Sequence, residues 1–573
     1  MHGTISRRLR FFGLVAATAA IAAAICAGAT SNSSAASSAR GSSQGPTVTW
    51  DVAHDTSLPL RDLAAGRIPP GDVEDPGDEE EGGPLATGDT SSADGALQSV
   101  MPPTTIPSTQ ANFEGLSNQD NFNIFGFRVN PPDPNGEVGP NNYVEMINLV
   151  FGIYDKSGNL LLGPVDTGTL WSGFPIPDCT DPSGDPVVMY DQFTDRWILT
   201  QFTTRGPEYW NCVAVSTTSD PTGSYYRYAF STGPNFPDYP KYGNWKNSYV
   251  ITTREFGPTT EYGIGVYGLE KNKMVNGEPA RSVRFFIDGN VPENLPLVGD
   301  GLLPADIDGK TKPKNEDTTP LVGTQDDNAS YGATFDALNI WDLTVKWRST
   351  PVASLALNAQ LPTAPFDSIF PCGPASARDC LPQPTVPVGD PRTLDILSYR
   401  QRPTFRLAYR ALRDYDVMVT NQSVEATPGV AGVRWYEIRR VGDTYSLYQQ
   451  GTYAPNDGVN RWMGSIAMDK KGNMGLGYSV VNGTNVYPGI RYTGRLAGDP
   501  AGQMTLGEGT VIDGSGIQRT TNSRWGDYTD ITVDPTDDCT FWYVNEYYTL
   551  AGQISSTAGW QTRIASFKLP GCS

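Results

Sequence analysis

Aspartates and arginines stand at corresponding places along this chain. Asp133 lies in PPDPNG, Asp185 in GDP, Asp238 in FPDYP and Asp306 in LPAD; Arg406, Arg461, Arg524 and Asp527 follow. Carboxylates held in pairs can act as acid and base on a glycosidic bond, which makes Asp185, Asp238, Asp306 and Asp527 catalytic candidates. Arginines clamp carboxylated or other polar ligands bidentately, which makes Arg406, Arg461 and Arg524, with Asp133, binding candidates. Asp306, Asp308 and Glu316, around the glycine of ADIDG, resemble part of a calcium loop without its full spacing. Each of these groups could instead tie neighbouring segments together, since structural ion-pair networks imitate sites.

Histidine narrows the chemistry further. The chain holds two, His2 and His54, both outside the region expected to fold. Imidazole acid–base work, Ser-His-Asp and Cys-His catalysis and histidine-ligated zinc are therefore excluded from the expected core.

The elements that position the candidates are repeats. RWGDYTDITVDPTDDCTFWY (524–543) matches RWMGSIAMDKKGNMGLGYS (461–479) and GDPVVMYDQFTDRWILTQF (184–202) in form. An apolar alternating strand reaches an aspartate, turns, and climbs into a second strand. Further copies begin at EVGPNNYVEMIN, KYGNWKNSYVITT, ADIDGKTKPKNEDTTPLVGT and FRLAYRALRDYDVMVTNQS. A third strand follows each, such as YGIGVYGLE or AGVRWYEIRR, and in most a fourth, such as SVRFFID. Four antiparallel strands per repeat indicate an all-β, seven-bladed β-propeller, with six or eight blades as alternatives. First strands are expected near 135, 186, 239, 304, 405, 464 and 527. The seventh repeat lacks a fourth strand of its own, so residues 111–118 are expected to supply it and close the ring. Asp191, Asp469 and Asp534, with Asp195, Asn473 and Asp538, read as turn residues. Trp197, Trp462, Trp525 and Trp542 recur at equivalent places and read as packing between blades rather than as sugar platforms.

PPDPNGEVGPNNYVEMIN, GDPVVMYDQFTDRWILTQF, DYPKYGNWKNSYVIT, RWMGSIAMD and RWGDYTDITVDPTDDCTFWYVNEYY resemble a group of exported bacterial β-propeller proteins. The resemblance covers nearly all of 125–573 and implies fold and export, not a reaction. Members carry histidines in the segment matching RDYDVMVTNQSVEA, where this chain has Asp414, Tyr415 and Gln422.

Residues 1–29 read as a cleavable export signal, with Arg7, Arg8 and Arg10 before an alanine-rich core that ends at Ala27-Gly28-Ala29. SRRLRFF fits the twin-arginine route. Residues 30–110 read as a disordered Ser/Ala/Gly/Pro-rich acidic linker, and 111–573 as the propeller. A formal charge of −20 excludes nucleic acid as partner. After the signal, six cysteines remain, and an even number in an oxidising compartment suggests Cys179–Cys212, Cys372–Cys380 and Cys539–Cys572. A Pro-rich insertion, 361–399, separates the fourth and fifth repeats and is placed either to cap the mouth or to brace the wide gap between those repeats. The expectation is a secreted monomer without a membrane span in its mature form. It would bind a glycan or protein at the channel mouth, with Ca²⁺ as candidate cofactor. The alternative is a histidine-independent glycoside hydrolase or polysaccharide lyase.

Overall fold

The computed structural model describes residues 44–66, 93–258, 260–328, 330–368, 379–387, 392–396 and 401–573. The fold is all-β with many strands. Four strands at a time run as antiparallel meanders, led by Asn135–Val138, Val188–Asp191, Phe236–Asn244, Leu303–Ile307, Thr404–Ala411, Asn460–Met468 and Asp530–Val533. These leading strands start within four residues of the positions expected from the repeat. Each touches the next, and the seventh touches the first. The fourth and fifth meanders are one continuous sheet, because Ala305–Ile307 pairs in parallel with Leu407–Tyr409.

The seventh meander takes its fourth strand from Ala111–Ser117, which pairs antiparallel with Trp560–Lys568, as expected. Cys539 bridges Cys572 across a Cα separation of 5.6 Å beside that strand, and Cys179 bridges Cys212 at 6.0 Å. Cys380 is disulfide-bonded; Cys372 lies outside the described residues.

Tryptophans and glycines fit the meanders together. Trp197 is fully buried, and a Cβ on Gly139 of the first meander would stand 2.4 Å from its ring. Trp462 and Trp525 lie 5.4 Å apart between sixth and seventh meanders, and Trp542 stacks on Tyr143 at 5.4 Å. The turn aspartates do double work. Asp469 accepts from the backbone of Lys471 and Asn473, while Asp534 accepts from Thr536 and reaches Lys156 of the first meander at 2.8 Å.

Part of the stretch expected to be disordered is structured. Gln44–Trp50 adds a fifth strand to the third meander, Ala53–Thr56 adds one to the second, and Leu97–Gln98 pairs with the fifth. Composition missed them because an added strand gains its hydrogen bonds from a neighbour's open edge rather than from a core of its own. His54 therefore belongs to a sheet, at its outer edge, bonded to Asp51 at 2.6 Å and stacked on Tyr228. The signal, residues 1–29, lies outside the described residues, as do 30–43 and 67–92 of the linker.

Ring closure buries a titratable group. Glu145 of the first meander accepts from Leu116 N of the closing strand at 2.8 Å and from Thr562 of the seventh meander. Burial raises its carboxyl to about 7 from 4.5, against the pull of those hydrogen bonds. Between these pH values the folded chain holds a proton that the unfolded chain releases, so this contribution is present below about pH 4.5 and lost as pH rises through 7. The melting temperature should therefore fall between pH 5 and 8, and fall less in Glu145→Gln; equal slopes for the two proteins would contradict this assignment.

Candidate functional site

The loops entering the leading strands, and irregularities within two of those strands, bend through left-handed backbone. Asp133 (φ 47°), Asp185 (52°), Tyr239 (51°), Met463 (47°) and Asp527 (64°) all adopt it, a conformation that costs a non-glycine residue roughly 1–2 kcal/mol. Aspartate tolerates it better than tyrosine or methionine, and such strain concentrates where side chains must be aimed.

Here it gathers side chains from separate meanders. Tyr528 of the seventh donates its hydroxyl to Asp185 of the second at 2.7 Å, and Tyr239 of the third donates to the Asp527 carbonyl at 3.3 Å. Asp133 N binds the Gly526 carbonyl at 3.0 Å, and Arg524 pairs with Asp527. The rings of Tyr239 and Tyr528 stack at 5.4 Å, with Lys241 Nζ 3.1 and 3.6 Å from their centroids. The Arg402 guanidinium lies 3.5 Å from the Tyr239 centroid. Arg254 joins Asp238 at 3.0 Å to Asp300 at 3.1 Å.

Burial and its neighbours set the protonation of this cluster. Asp133 is held well above the carboxylate range by burial, then by Asp185 and Asp527, and its side chain hydrogen-bonds Asp185. Burial lowers Lys241 well below the ordinary lysine value, and Arg402 adds to that while Asp185 opposes it. The arrangement is a hydrogen-bonded pair of aspartates beside a lysine clasped between two tyrosines. It is also full: the cavity around Lys241, Arg254 and Arg402 measures about 10 Å³, room for about one water. Only its rim meets solvent, at Asp185, Asp238 and Arg524.

The remaining candidates lie elsewhere. Asp306 and Arg406 stand farther along their strands, in a second, buried layer. The Arg406 guanidinium donates to Asp306 Oδ2 at 2.9 Å, to Asp308 at 2.7 and 3.1 Å, and to the Ile531 carbonyl at 3.4 Å. Glu137 and Asp530 complete the layer. Each is raised well above its ordinary value, first by burial and then by the surrounding carboxylates, with Arg406 pulling the other way. The expected calcium set is not assembled, because Arg406 occupies the face that Asp306 and Asp308 share and Glu316 is exposed beside Trp347 and Lys246. Arg461 also leaves the mouth: strand alternation turns it along its own sheet, to Glu508 at 2.8 Å and Asp457 at 2.7 Å.

The repeat pointed to Asp133, Asp185, Asp238, Arg524 and Asp527, which do converge. It missed Lys241 and Tyr528, although each follows a candidate within three residues. Glu137, Asp530, Arg254 and Arg402 carried no sequence signal. The insertion touches the same rim: Leu381, Leu394 and Ile396 bury against Met463 and Trp525, and Asp395 N binds the Ser523 carbonyl at 3.0 Å.

No protein-family profile and no curated protein matches the chain. Among the solved structures it is similar to are three that differ widely from it in sequence. A neuraminidase-like protein from A/bat/Guatemala is 8% identical, with a TM-score of 0.32, covering 72% of this chain and 98% of that one. An endo-arabinase from Bacteroides thetaiotaomicron is 13% identical, at 0.26, covering 53% and 92%. An exo-β-1,3-galactanase from Clostridium thermocellum is 12% identical, at 0.28, covering 82% and 97%. Likenesses of this size say nothing about substrate.

Arg406→Met removes one partner of a buried pair and should cost about 3–5 kcal/mol. The cost would be read as a lower denaturant midpoint at unchanged slope, and a midpoint like the wild type's would show that Arg406 is dispensable to the second layer.

Proposed function

We propose that the seven meanders are the blades of a β-propeller and that the chain is an exported binding module. Its ligand, a glycan or a protein segment, docks over the rim of the entrance cluster. One observation carries this reading: Asp133, Asp185, Lys241, Arg524 and Tyr528 arrive from four meanders and meet, with Asp185 and Arg524 left partly open to solvent. Side chains gathered from several elements at such strain are the usual makings of a recognition site. Two disulfides accord with an oxidising compartment. No helix of the described residues is long and apolar enough to cross a membrane.

The hydrolase alternative finds less support. Glycosidases hold their two carboxyl groups about 5–10 Å apart, leaving room for a sugar carbon or a water between them. Asp133 and Asp185 are hydrogen-bonded to one another, and Asp238, Asp306 and Asp527 are each engaged by an arginine. Ca²⁺ stays a proposal without a geometric home at Asp306, Asp308 and Glu316.

A glycan array run beside a reducing-sugar assay on the same polysaccharides separates the readings. Binding that weakens about tenfold in Asp185→Asn, with no sugar released by either protein, is the expected result. Sugar release abolished by Asp185→Asn would replace the binding reading with the hydrolase.

A further inference from the structure

Outside the entrance cluster, an open cavity of about 540 Å³ lies where the second meander hands over to the third. That volume is within the range of small-ligand sites, roughly 300–1,000 Å³. Its floor exists because of the added strand Gln44–Trp50. Thr47 stands opposite Arg284 and Thr49 opposite Ser282 in the strand pairing, so alternation places both threonines on the face that carries Arg284, Phe286 and Asp288. The wall is the link between meanders, with Ser231, Thr232 and Asn235.

The chemistry of the lining selects a class of ligand. Arg284 is already paired with the buried Glu255 and donates to the Tyr267 hydroxyl at 3.0 Å. Asn235 donates to the same Glu255 at 2.9 Å. Asp288 adds a negative charge whose described partners are the backbone and amide of Asn290. An anionic ligand therefore finds a cation that is already satisfied and a carboxylate that repels it. An apolar ligand finds only Phe286 and Pro234. Ser231 and Thr232 already donate to Glu208 and to the Asn235 carbonyl, so the open groups are the exposed hydroxyls of Thr47 and Thr49 and the Asp288 carboxylate beside the Phe286 ring; these suit a neutral polyol, whose hydroxyl groups both donate and accept. The ring is placed by Gly263: a Cβ there would stand 2.1 Å from Phe286 Cζ, so only glycine lets Phe286 lie across that strand.

The cavity also adjoins the entrance. Asn235 is three residues from Asp238, and Glu255 follows Arg254, which holds Asp238 and Asp300. Successive residues of that strand serve the two sites from opposite faces.

We propose that this groove is a binding site for neutral oligosaccharide, completed by the N-terminal strand Gln44–Trp50. It rests on the binding reading for its setting and fixes the ligand class as a neutral glycan. The test is affinity electrophoresis through gels containing arabinan, galactan, β-glucan, dextran or polygalacturonate. Wild type should be retarded by at least one neutral polymer and not by polygalacturonate. Phe286→Ala, Gly263→Ala and the exposed pair Thr47→Ala/Thr49→Ala should each lose about tenfold in apparent affinity with unchanged circular dichroism, while Leu550→Ala, an exposed change that lines neither site, keeps its retardation. The proposal is overturned if no neutral polymer retards the wild type, if only polygalacturonate does, or if the groove variants run like wild type. Loss in Asp185→Asn alone would move glycan binding to the entrance; loss in the groove variants alone would leave the entrance reading to be judged on its own ligand.

Discussion

One guanidinium stands among four buried carboxylates. Arg406 binds Asp306 and Asp308 directly and lowers Glu137 and Asp530 through its field, so first, fourth, fifth and seventh meanders share a single cation. Four carboxylates removed from water cannot all ionise around one positive charge, because desolvation and mutual repulsion exceed what the arginine returns. Asp306 and Asp308 take the direct bonds. Glu137 and Asp530 are therefore held well above the usual carboxylate range, by burial first and by their neighbouring carboxylates, against the pull of Arg406.

The entrance repeats this logic nearer the surface. Asp133 is held well above the carboxylate range by burial and by Asp185 and Asp527, and Lys241 is shielded by two tyrosine rings. Strain in the entrance loops holds these groups in place, and the wide buried framework of strands absorbs its cost. The result is a packed plug with a polar rim.

The architecture was legible where its causes are local. Alternating apolar residues and Asp turns mark the leading strands, and the lack of a fourth strand in the last repeat pointed to residues 111–118. What was illegible depends on a partner. Gln44–Trp50 is a strand because the third meander leaves an edge open, and nothing in QGPTVTW states that. The site followed the same division. Arg406, Arg461 and Arg524 look alike in the repeat, yet they go to the centre, along a sheet and to the rim, because strand register and loop bend decide which face each side chain takes.

The central claim is that burial holds Glu137 and Asp530 well above the usual carboxylate range, and its expected consequence is that both keep their protons in the folded protein at pH 7. Infrared difference spectra of wild type against Glu137→Gln and Asp530→Asn at that pH read this directly. The account predicts a protonated-carboxyl C=O band in the wild type that diminishes in each variant. A wild-type spectrum holding only the carboxylate bands of these two residues would contradict it.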